Sequence, residues 1–398
     1  MEFSKKVSAL EQTPIRKFMP FADEARAEGK KVYTLNIGQP DIKTPDVFME
    51  AIRNFDEKVL KYAPSYGIPE LRNAVSEYYK RIGVEFTPED ILITMGGSEA
   101  INLVMTCILN PGDEVLMAEP FYTNYRAFTG QAEGKVTPIK TTASDGYHYA
   151  DREKIENAIT PRTKAIGVVN PGNPTGVVLT KEEMRLIADI AKEHDLFLVC
   201  DEVYREFVYD GLKMSSFAEF DDVRDRVVII DSVSKRFSAC GARCGSIATK
   251  NRELIEHLYK LLQTRLCAPT LEQIGSTALY GLEPNYFDEI KKEYEHRRNV
   301  SYEALQEIDG IICKKPQGAF YITCQLPVDN AEKFLVWLLK EFDLNGETAM
   351  FAPAAGFYAT KGVGQSDIRL AYVLDAEEMR KGINIIKEGI IEYNKTQR

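Results

Sequence analysis

Between residues 90 and 250, short apolar runs alternate with stretches whose apolar positions recur at helical spacing. The runs are DILITM (90–95), DEVLMA (113–118), KAIGVV (164–169), LFLVC (196–200), RVVIID (226–231) and GSIAT (245–249). Between them, 98–109 and 181–194 read as helices, the second with Met184, Ile187, Ala188 and Ala191 on one face. Strands alternating with helices predict βαβ units and a mostly parallel sheet. A long charged stretch at 284–308 predicts a helix, either a connector between two lobes or a solvated surface helix. After it, a strand at 320–326 (FYITCQL) and a helix at 331–342 (AEKFLVWLLKEF) begin a segment of α+β character. The expectation is a large α/β lobe in the middle of the chain and a smaller lobe near the C-terminus, to which the N-terminal arm returns.

Length and composition narrow the classes. The 398 residues suit two or three domains of about 150 residues each. A hydrophobic share of 44% and a charged share of 28% are those of an ordinary globular protein. The net charge of −10 makes nucleic acid and anionic membrane surfaces poor partners. Seven scattered cysteines fit reduced thiols rather than a secreted disulfide framework. The segment MEFSKKVSALEQ lacks the apolar core of a secretory leader. The longest charge-free apolar run, AINLVMTCILNPG, has 13 residues, short of the roughly 18 that span a bilayer. A cytoplasmic protein without a membrane span is expected.

The four histidines (His148, His194, His257, His296) have no metal-ligand spacing, and Cys240 and Cys244 lack a second pair for zinc. Neither a P-loop nor a G-x-G-x-x-G fingerprint occurs, which argues against a nicotinamide dehydrogenase. No metal is expected. In a parallel sheet, ligands gather outside the carboxyl ends of the strands. Here DILITM runs into GGSEA, KAIGVV into NPGNPTG, LFLVC into DEVY and RVVIID into SVSKRF. In GGSEA, Gly96 and Gly97 permit a sharp turn into a helix opened by Ser98, where N–H groups suit a phosphate; a plain glycine helix entry reads equally. NPGNPTG (170–176) presents Asn173 from a rigid turn. Asp201 ends a buried strand, as a helix cap or as the counter-ion of a protonated ring nitrogen, and Tyr204 follows one helical turn later. Lys235 stands between strand and helix, flanked by Ser232 and Ser234, with Arg243 eight residues on. Burial and a nearby cation favour a lysine's neutral amine, the form that makes a Schiff base, and an arginine with two hydroxyls can clamp a phosphate. Pyridoxal phosphate needs all of these groups: a lysine, a phosphate cup, an acid at the pyridine nitrogen and donors to the 3-oxygen.

With NPGNPTG, DEVY and SVSKRFSACGARCG in order, from LNIGQPD (35–41) to SDIRLAYVL (366–374), the chain resembles the class I/II pyridoxal-phosphate-dependent aminotransferases. These are fold-type I enzymes like the aspartate aminotransferases. The resemblance implies a mostly parallel seven-stranded sheet sandwiched by helices, with a smaller α+β domain. It implies an N-terminal arm and part of the small domain at 1–45, a cofactor domain at 46–285 and a small domain at 286–398. By the same resemblance, Lys235 bears the cofactor, Asp201 pairs with the pyridine nitrogen, and Tyr204 and Asn173 bond the 3-oxygen. Gly97, Ser98, the amide of Glu99, Ser232, Ser234 and Arg243 form the phosphate cup. Tyr122 stacks on the ring, and Tyr62 reaches the phosphate of a partner subunit, so that a homodimer with shared sites is implied. Arg369 and Gly38, with Asn173, take the substrate α-carboxylate. The implied reaction moves the amino group of an L-amino acid, aspartate favoured, to a 2-oxo acid such as 2-oxoglutarate in a ping-pong cycle. A C–S β-lyase acting on cysteine-type substrates would reuse the same residues.

The chain departs from the aspartate enzymes in three places. Tyr122 stands where those often carry tryptophan, Arg236, Cys240 and Cys244 crowd the lysine segment, and no counterpart of the side-chain-reading arginine is evident. Arg16 (TPIRKF) and Arg265 (QTRLCAPT) border the pocket in relatives, and each reads as a specificity residue or as a structural ion pair.

Overall fold

A computed structural model describes residues 2–8, 10 and 12–396 of the chain. Its centre is a seven-stranded sheet in the spatial order Ile91–Thr94, Gly245–Thr249, Val227–Ser232, Phe197–Asp201, Thr163–Val169, Glu114–Glu119, Lys135–Lys140. All neighbours run parallel except Gly245–Thr249, which is antiparallel to both strands beside it. The six apolar runs of the sequence are six of these strands. The central strands Val227–Ser232 and Gly245–Thr249, and even the edge strand Ile91–Thr94, are buried along their whole length, as expected of a sheet covered on both faces.

The helices follow the sequence pattern with small shifts at their ends. Lys181–Glu193 opens with a reciprocal cap between Thr180 and Glu183 and buries Met184, Ile187, Ala188, Ile190 and Ala191. Gly96–Ile108 begins at the first glycine, two residues ahead of the expected Ser98. Gly96 takes a φ of +75°, and a Cβ there would meet Arg243 Nη2 at 2.5 Å. A glycine is thus needed both for the turn and for the close approach of the guanidinium.

The long charged helix spans Tyr286–Gln306 and is no free surface element. It buries Tyr294, Arg297, Arg298 and Leu305 and packs along the C-terminal helix Ala376–Thr396. A second core gathers residues of this helix with Phe207, Phe320, Phe334 and Ile383. There a four-stranded sheet runs Ala352–Pro353, Asp367–Ala371, Tyr321–Gln325, Ile312–Cys313, with antiparallel pairing. Strand Lys31–Thr34 pairs in parallel with Glu347–Met350. That pairing carries the segment after it, Asn36 to Asp41, from the C-terminal elements toward the edge of the large sheet.

Candidate active site

The carboxyl ends of the parallel strands open onto a cavity of about 640 Å³. Gly38, Gly97, Ser98, Tyr122, Asn173, Asp201, Tyr204, Ser232, Ser234, Lys235, Arg243 and Arg369 all line it. Arg243 joins the others because Gly245–Thr249 runs backwards: the strand begins at the edge where its neighbours end. Two residues named from the sequence lie outside the lining. The Glu99 carboxylate accepts from the Met95 N–H and from Arg265, and Tyr62 is a surface residue, 80% exposed.

At one end of the cavity Ser98, Ser232, Ser234 and Arg243 converge. Ser232 caps the turn Val233–Arg236, accepting the Ser234 N–H at 3.1 Å, and its hydroxyl donates to Ser234 Oγ at 2.8 Å. Lys235 is thereby delivered from the first turn after a buried strand. Its Nζ donates to the Gly38 carbonyl at 2.8 Å and lies 3.8 Å from Cys240 Sγ. The Cys240 thiol in turn donates to the Ser234 carbonyl at 3.1 Å, so this cysteine belongs to the lysine's surroundings. Cys244 faces the core, where burial lifts its thiol to about 11. Arg236 turns the other way, buried against Asp231 at 2.7 Å with the Tyr78 ring 4.2 Å away.

Asp201 lies on the cavity floor. Burial lifts its carboxyl to about 7, against the lowering effect of the Val203 N–H that it accepts at 3.2 Å. Tyr125 donates to its other oxygen at 3.4 Å. A buried acid whose charge is only partly matched suits a cationic partner entering the cavity. Above it, Asn173 Nδ2 donates to Tyr204 Oη at 3.5 Å, and the Tyr204 and Tyr321 hydroxyls are 2.8 Å apart.

Arg369 closes the opposite end. Its guanidinium donates to Asn173 Oδ1 at 3.2 Å and to the Asn36 carbonyl at 2.5 Å, while Nε has no partner. The residue is 1% exposed, and among the described residues no carboxylate pairs with it. Burial holds its pKa below the usual arginine range. A buried guanidinium lacking a counter-ion is a receptor for an anion.

Of the two arginines left open by the sequence, Arg265 is a structural pair. Its Nε meets Glu99 Oε1 at 3.2 Å and its Nη2 the Ile93 carbonyl at 2.8 Å. Arg16 lines the cavity together with Thr13 and Ile15 and has no ion-pair partner among the described residues. Sequence reasoning missed Tyr125, Tyr321 and Asn36. Tyr125 has a signal, three residues after Tyr122, whose carbonyl accepts its N–H at 3.0 Å where the chain enters the helix Asn124–Gln131; Asn36 and Tyr321 reach the site only through the pairing of distant strands.

A family model for aminotransferase class I and II matches residues 30–386. The chain belongs to that family. It is 32% identical to an aspartate aminotransferase of Bacillus subtilis, over 99% of this chain and 100% of the relative. It is 31% identical to an aspartate/prephenate aminotransferase of Thermus thermophilus, over 96% of each chain. The structure matches that of an alanine aminotransferase from Pyrococcus furiosus with a TM-score of 0.90 and 32% identity, covering 98% and 100% of the two chains. The protein is therefore an aminotransferase on the fold-type I scaffold, an enzyme class that works with pyridoxal phosphate. The cavity suits that cofactor: anion-binding donors at one end, a lone carboxylate on the floor, a primary amine beside it and hydroxyl and amide donors above. No helix among the described residues is long and apolar enough to cross a membrane.

Proposed function

We propose that this aminotransferase moves the α-amino group of an acidic L-amino acid, aspartate first, to a 2-oxo acid such as 2-oxoglutarate, in two half-reactions at one site. The observation that carries the reading is the shared cavity of Lys235, Asp201 and Arg369. Bound pyridoxal phosphate supplies an electron sink for the charge that develops at the substrate α-carbon. Ser98, Gly97 and the Glu99 amide, with Ser232, Ser234 and Arg243, hold the phosphate at a helix N-terminus. Asp201 keeps a proton on the ring nitrogen, Tyr204 and Asn173 donate to the 3-oxygen, and Tyr122 packs on the ring face. Lys235 binds the cofactor through Nζ and carries the proton at the α-carbon. Arg369, the Gly38 N–H and Asn173 grip the α-carboxylate.

Arg16 supports the choice of an acidic donor, because it brings an unpaired cation to the cavity wall. Exposed Tyr62 fits a role at a neighbouring active site, making a homodimer the working unit, in the cytoplasm. The test is the visible spectrum of the protein loaded with pyridoxal phosphate. Single amino acids added without a 2-oxo acid should bleach the yellow band, aspartate before alanine, releasing one equivalent of oxo acid. Lys235→Ala should lose turnover altogether. A band that persists while pyruvate and ammonia accumulate would replace transfer by elimination.

A further inference from the structure

The Tyr321 hydroxyl stands among three of the site's working parts. It is 2.8 Å from Tyr204 Oη. A Cβ placed on Gly38 would fall 1.9 Å from it, so it lies directly against that backbone. Its ring lies beneath Arg369, with the guanidinium carbon 4.5 Å from the centroid. The Tyr204 and Tyr321 rings meet edge-on at 5.5 Å. Both tyrosines are buried, at 3% and 2% exposure, and both line the cavity.

Hydrogen-bond accounting gives this contact a direction. A phenol has one proton and two acceptor positions. Asn173 Nδ2 can only donate, so it takes one acceptor position on Tyr204 Oη. Among the described residues, Tyr204 is the only hydrogen-bond partner of the Tyr321 hydroxyl. When Tyr321 donates, it fills the second position, and the single proton of Tyr204 is left to point into the cavity. The reverse arrangement would spend that proton on Tyr321 and leave nothing for a ring oxygen in front of Tyr204.

We propose that Tyr321 is a positioning residue: it donates to Tyr204 and so aims the Tyr204 proton at the 3-oxygen of bound pyridoxal phosphate. The inference rests on the reading of the site given above and adds a residue to it. A hydrogen bond donated to the 3-oxygen withdraws electron density and weakens that oxygen's hold on the neighbouring proton. The visible band of the loaded enzyme therefore titrates at lower pH with the donor than without it. Tyr321, Asp201 and Tyr122 are the titratable groups facing Tyr204, with Lys235, Cys240, Arg243, Arg16 and Arg369 around the same cavity. Replacing a phenol by phenyl at 321 leaves all the others in place, and it leaves a ring under Arg369.

The experiment titrates the visible band of the loaded wild-type enzyme, Tyr321→Phe, Tyr204→Phe and the double variant. Tyr321→Phe should raise the midpoint by about half a pH unit, the worth of one modest hydrogen bond. Tyr204→Phe should raise it further, and Tyr321→Phe should add nothing in the Tyr204→Phe background. The melting temperature of Tyr321→Phe should stay near the wild-type value. An unmoved midpoint in Tyr321→Phe, or an equal shift in both backgrounds, overturns the proposal while leaving the site reading intact. A wild-type protein that shows no band with pyridoxal phosphate overturns the site reading and the proposal together.

Discussion

At the Lys235 end of the cavity the polar groups come from the carboxyl edge of one sheet, each within a few residues of a buried strand. At the Arg369 end they come from segments far apart in the chain. Asn36 and Gly38 follow a strand near the N-terminus, Tyr321 and Arg369 sit on paired strands of the small sheet, and Arg16 lies on the arm before them all. The first arrangement is rigid, because the strands that end in Asp201 and Ser232, the latter leading into the turn that carries Lys235, are locked into the main core. The second can vary its side chains without disturbing that sheet. Relatives with the same fold carry names as different as aspartate, aspartate/prephenate and alanine aminotransferase, which fits a constant end and a variable one.

The sharpest break of this contrast is at Arg369. Arg369→Lys should lower kcat/KM for amino acids by about 100-fold, since a lysine cannot reproduce a buried two-point contact. The cofactor band should remain, because the sheet edge is untouched; steady-state kinetics and the spectrum together decide it. Arg16→Ala should act only on side-chain choice. It should cut kcat/KM about tenfold for aspartate and leave alanine unchanged, so a matched loss for both donors would remove Arg16 from substrate reading.

The smallest effect concerns the fixed end. The Asp201 carboxyl sits at about 7 in the fold, against 3.8 for a free aspartate. The folded state thus keeps a proton that the unfolded chain gives up. Stability of the cofactor-free protein should fall as pH rises through that window. Asp201→Asn abolishes this loss. The cofactor-free variant should melt a few degrees above the cofactor-free wild type at pH 8 and level with it near pH 4. Equal melting at pH 8 would show that the carboxylate is already compensated without a cofactor.

The legibility of the two ends differed in the same way. NPGNPTG, DEVY and SVSKRF lie in unbroken runs beside strong apolar strands, so local pattern was enough to place Asn173, Asp201, Tyr204 and Lys235 on one edge. The seventh strand, Lys135–Lys140, escaped notice because it is an edge strand carrying Pro138 and charged at both ends. Asn36 and Tyr321 escaped for a different reason. Their polar roles depend on the Lys31–Thr34 and Glu347–Met350 pairing and on the register that sets Thr323 opposite Arg369, and a long-range register leaves no local periodicity. Arg265 and Arg16 could be separated only once Glu99 was seen beside the first.

Asn36 has one further consequence. Its carbonyl holds Arg369, and its side-chain amide donates to the Ile15 carbonyl at 2.8 Å, next to Arg16. A single residue is therefore the yardstick between the two positive charges that would grip a diacid. On the proposed reading, diacids differing by one methylene should be sorted by length as well as by charge, and lengthening or shortening residue 36 should re-mark the scale.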